Sequence, residues 1–169
     1  MKKFIQKKLK EQKGMTLIEL LAVIVIIAII AAIAIPAIAN IIENSRVGAA
    51  KSDALNAFSA VELYLAENGD VFDGVTTGTV GITGDQLVQG GYLDDLGSFE
   101  GENEAGAATN ELDGFALNAD GDLIISGTAN NDGVVLTFTG ATQEQVSEMP
   151  NGTGNDPAES YEGVISVLR

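Results

Sequence analysis

The stretch "QKGMTLIELLAVIVIIAIIAAIAIP", residues 12–36, decides the fold. From Leu20 to Ile35 it contains no charged or strongly polar residue. A helix over Met15 to Ile35 would be about 31 Å long, close to the thickness of a bilayer's hydrocarbon core, so the run is predicted to span a membrane. It nevertheless carries one carboxylate, Glu19, near its start. A carboxylate within a span costs some kcal/mol and normally has a partner.

Charge is divided sharply around this stretch. Residues 1–14 hold six lysines and one glutamate, about +5, whereas residues 15–169 hold Arg46, Lys51 and Arg169 against 23 acidic residues, about −20. A Lys-rich segment ahead of a span stays on the cytoplasmic side, which directs everything after Pro36 outward. The acidic remainder repels nucleic acid and anionic lipid, so no nucleic-acid binding is expected of it. The chain has no cysteine and no histidine. That excludes disulfides, thiolate metal sites, His-dependent hydrolytic triads and HExxH metalloprotease chemistry, and no other catalytic arrangement is discernible; the chain reads as a non-enzyme.

Three readings of the apolar run compete. A secretory signal would use the basic start and "AIA" (Ala37, Ile38, Ala39) as its cleavage site, but the apolar part, about 21 residues, exceeds the usual range of about 7–15, and Glu19 lies inside it. A permanent single-pass anchor leaves Glu19 without a partner. A cut between Gly14 and Met15 creates an α-amino group four residues before Glu19, one helical turn away on the same chain or within reach from a neighbouring one.

The residues "KGMTLIELLAVIVIIAIIAAIAIP" closely resemble the leader-peptidase site and membrane helix of type IV pilins and the related pseudopilins. The resemblance implies that Gly14 precedes the cut, that Met15 becomes the N-methylated terminus, that Glu19 is the assembly carboxylate pairing with an adjacent subunit's amino terminus, and that Pro36 is the helix proline. Two positions depart from the family's pattern: Met15 stands where phenylalanine is commoner, and Ala28 where many members have a glycine that helps the helix unwind. The implied fold is α+β, a long amino-terminal α-helix packed on a small antiparallel sheet. The implied function is a prepilin, the structural subunit of an extracellular filament, with a pseudopilin of a type II secretion or DNA-uptake machine as the alternative. A simple membrane-anchored or secreted binding protein is the remoter reading. Implied partners are further copies of the chain in a helical filament, a prepilin peptidase, an assembly platform and minor pilins, with the cytoplasmic membrane holding the subunit before assembly.

The chain divides accordingly into a cleaved basic leader (1–14), a membrane-spanning assembly helix (15–36), an amphipathic continuation (37–68) and a soluble head (69–169). In the continuation, Ile38, Ile41, Ile42, Val47, Ala50, Ala54, Phe58, Val61 and Leu65 recur at spacings of three to five, a stripe suited to covering a sheet. Asn68-Gly69 is a helix stop. In the head, "TGDQLVQGGYLDDL" predicts a short helix with Thr83 or Asp85 at its cap and Gly90-Gly91 at its end. Residues 99–112 read as an acidic surface loop. Strands are predicted at 114–118, 121–127 and 133–140, joined by Asp120-Gly121 and Asp132-Gly133 as an antiparallel meander. "TQEQVSEM" predicts another short helix, "NGTGNDPAESYEG" a loop, and "VISVL" a final short strand. No cofactor is expected. Asn118, Asp120 and Asp122 alternate as calcium oxygen ligands would, but without an EF-hand's glycine and distal glutamate, and a plain type I′ hairpin turn is the favoured reading, with calcium the alternative. Arg46 and Lys51 are expected to form a small basic spot toward neighbouring subunits.

Overall fold

In the computed structural model the described residues are 16–69, 71–72, 77–99, 111–151, 158–161 and 164–168. The leader, Gly14 and Met15, and residues 100–110 of the expected acidic loop lie outside them. The chain divides into two compact units, one ending at Asn40 and one comprising Ile41–Arg169.

Helix α1 runs Leu17–Asn68 with Pro36 inside it. Its end is the expected stop: the Gly69 N–H reaches the Leu65 carbonyl at 2.9 Å, and Gly69 has φ +78°. From Val47 onward one face is buried through Ala50, Ala54, Ala57, Phe58, Ala60 and Val61. The predicted stripe is therefore right over Val47 to Val61 but begins too early. Ile38, Ile41 and Ile42 are 52%, 65% and 45% exposed.

Helix α2 spans Gly84–Gln89 and begins with a capping box. The Gln86 N–H donates to Thr83 Oγ1, and the Thr83 N–H to Gln86 Oε1. Of the two proposed caps, Thr83 is the one used. A 3-10 turn follows at Gly97–Phe99.

The sheet has five antiparallel strands: β1 (Glu111–Leu117), β2 (Leu123–Asn131), β3 (Val134–Thr142), β4 (Ala158–Tyr161) and β5 (Ile165–Leu168). Their spatial order is β1-β2-β3-β5-β4. The first three form the expected meander, and helix α3 (Gln143–Glu148) follows with Thr142 as its N-cap in a second capping box. At Asp132-Gly133 both residues have positive φ, 51° and 99°, between the paired Asn131 and Val134, as a two-residue I′ turn requires. The loop expected at 151–163 instead contains β4, which pairs with β5, and the loop expected at 99–112 is bounded by a buried Phe99 and by Leu112 of β1. A four-residue strand of Ala, Glu, Ser and Tyr lacks the β-branched run that would mark it.

One face of the sheet turns inward. Ile125 and Ala129 of β2, Val134, Leu136 and Phe138 of β3, and Ile165 and Val167 of β5 are buried in the same core as the α1 face. Phe58 meets Phe115 edge-on at 5.2 Å between ring centroids, joining helix to β1.

Candidate functional site

The first described residue, Thr16, caps α1. Its N–H and its hydroxyl both donate to Glu19 Oε2, at 2.8 and 2.7 Å, and its Oγ1 accepts from the Glu19 N–H at 3.4 Å. The Thr16 carbonyl accepts from the Glu19 and Leu20 N–H groups. This is a capping box: hydroxyl and carboxylate satisfy backbone donors that the first helical turn cannot. The sequence contains its signature, Thr-x-x-Glu ahead of an apolar run, and attention to charge alone overlooks it. An anchor helix therefore no longer leaves Glu19 unexplained, since the cap accounts for its position on its own chain. A carboxylate offers about four acceptor sites, so two bonds to one oxygen do not exhaust it.

Pro36 lies 17 residues further along the same helix, about 26 Å at the rise of an α-helix, so the two residues do not converge on one site. Helical structure continues through Pro36, although proline has no N–H for the Ala32 carbonyl. Between Leu17 and Ile42 all sixteen large apolar side chains are at least 45% exposed. The helix contains an 18-residue window of mean hydropathy 3.2, none of it buried, and is long and apolar enough to cross a membrane. A helix apolar on every side is stable only in lipid or among other helices.

The alternating oxygens of Asn118, Asp120 and Asp122 are brought together in the loop between β1 and β2, where Leu117 pairs with Leu123. Five residues intervene rather than the two of a I′ turn. Asn118 Oδ1 accepts from the N–H groups of Asp120 and Asp122, at 3.0 and 2.8 Å, while its amide donates to Asp122 Oδ2 at 3.1 Å. The Asn118 oxygen thus accepts from two backbone donors, as in a hydrogen-bonded Asx loop. Among the described residues, no group of three or more His, Cys, Asp or Glu side chains is placed to hold a metal.

Arg46 and Lys51 do not form an outward basic spot. Arg46 pairs with Asp132 at the β2–β3 turn, and Lys51 Nζ donates to the Met149 carbonyl at 2.8 Å. At the far end of α1, the Tyr92 hydroxyl donates to Glu67 at 2.7 Å and accepts from Asn68 at 3.0 Å, with its ring edge-on to Tyr64 at 5.2 Å. The hydrogen bond to the Glu67 carboxylate raises the Tyr92 pKa above its ordinary 10.0.

Residues 9–35 match the family model described as the prokaryotic N-terminal methylation motif. No curated protein matches the chain, and neither does any solved structure. The match takes in the end of the leader, Glu19 and the apolar run as far as Ile35, and it points to a structural protein. Over residues 9–35 the chain carries the prokaryotic N-terminal methylation motif, in keeping with the resemblance of that stretch to type IV pilins and pseudopilins.

Proposed function

We propose that this chain is a prepilin, cut after Gly14, methylated at Met15 and polymerised through its amino-terminal helix into an extracellular pilus-like filament. The observation that carries this reading is the conjunction of the methylation motif with a helix whose apolar side chains from Leu17 to Ile42 are uncovered. Lipid covers such a surface before assembly and neighbouring helices cover it afterwards, so the transfer is nearly neutral in hydrophobic terms. Glu19 then supplies register. Its charge is best satisfied at the offset where a neighbour's free terminus reaches it, and wrong offsets leave it penalised. Before the cut, the lysine-rich leader lies in the cytoplasm and the head outside.

The test is the intact mass and amino-terminal peptide of the protein recovered from cells. The expected product has 155 residues (169 minus the 14 of the leader) and begins at N-methylated Met15. A chain beginning at Asn40 would make it an ordinary secreted protein, and an uncut chain a simple anchor. Deletion of the gene should abolish filaments. Loss of a secreted enzyme or of DNA uptake, with long filaments never present, would place the chain among the pseudopilins.

A further inference from the structure

The unit Ile41–Arg169 carries 22 acidic residues and three basic ones, Arg46, Lys51 and Arg169. Exposed carboxylates are spread over its elements: Glu62 on α1, Asp94 after α2, Asp113 on β1, Asp120 in the β1–β2 loop, and Glu144 and Glu148 on α3. The two described cations each make a contact within the chain. Arg46 pairs with Asp132, and Lys51 is bound to the Met149 carbonyl. Arg169 lies outside the described residues. At the described residues, a head thus offers its neighbour many carboxylates against two cations, each already in contact with its own chain, so between heads repulsion outweighs attraction.

We propose that the heads of assembled subunits repel one another and that the helices alone hold the filament together, so that simple salt strengthens it. This rests on the filament reading above. Screening shortens the reach of charge repulsion from about 30 Å at 0.01 M salt to about 3 Å at 1 M. Cohesion through apolar helix contacts is not lost over that range. A filament whose heads were joined by ion pairs would respond in the opposite sense, loosening as salt rises.

The experiment uses filaments sheared from cells expressing the full chain, dialysed against increasing NaCl with a chelator present, and sedimented. The pelleted fraction is expected to rise with NaCl. A second strain carries Glu62→Gln, Asp94→Asn, Asp113→Asn and Glu148→Gln together, with folding checked by protease resistance. Repulsion scales with the product of the charges, so it falls by about 40% in this variant, which should pellet to the same extent at lower salt. Filaments that dissolve as NaCl rises, or a variant whose salt curve equals the parent's, would overturn the proposal. A response to MgCl2 with none to NaCl would also overturn it, in favour of a bound cation. Correctly processed chain with no sedimenting filament at any salt would sink the filament reading itself and this inference with it.

Discussion

Glu19 combines two roles that different substitutions separate. Glutamine can serve at the third position of a capping box as glutamate does, so Glu19→Gln keeps the bond to the Thr16 N–H while removing the charge. Glu19→Ala removes both. Both variants should insert into the membrane normally, as judged by carbonate-resistant membrane fractionation. If the charge is what a neighbour reads, both should lower filament yield by at least about tenfold, the factor corresponding to 1.4 kcal/mol of lost pairing. Normal filaments from Glu19→Gln would leave the cap as its only role. The carboxylate was conspicuous in the sequence because a lone charge stands out in an apolar run. Its bond to Thr16 was less so, because threonine before a span looks unremarkable until the three-residue offset is counted.

The elements of the head were legible where local chemistry specifies them. Thr83 with Gln86, Thr142 with Gln145, and Asp132-Gly133 each fix a helix start or a turn within four residues, and all three lie where the sequence predicts. The β4 strand was not legible, because "AESY" has no intrinsic preference for it and its pairing with β5 is a long-range choice. The register shift between Leu112 and Gly114 in β1 was equally hidden. There Gly114 has φ +138°, and a Cβ at that position would run into the Ile82 carbonyl, which bonds the Phe115 N–H at 2.7 Å. Gly114→Ala should therefore cost about 2 kcal/mol or more in thermal or urea unfolding. Phe58→Ala, emptying a fully buried site against Phe115, should cost about 3–5 kcal/mol by the same measurement. The Tyr92 clamp bears on pH. Its raised pKa means the folded chain favours the neutral phenol, so the stabilisation is complete below the ordinary 10.0 and is lost as pH rises through the higher folded value. Ultraviolet titration of the phenols should show one tyrosine with a midpoint above 10.0 that Glu67→Gln brings down.

Across the molecule, the charge asymmetry and the apolar run were legible because they are sums over many residues, while the commitment of Arg46 and Lys51 to their own chain was not, since it depends on which loops the fold carries past α1. The strand order has a further consequence for how the chain matures. β5 is the last described element in the chain, yet it sits between β3 and β4. The sheet therefore cannot be completed in the order in which the chain is made. Until Ile165–Leu168 arrives, Val135 to Phe138 of β3 lack their partners on that side, and β4 has no described neighbour at all. A nascent chain paused before Ile165 would present an unguarded apolar strand edge, the kind of template on which chains aggregate, until β5 pairs along it.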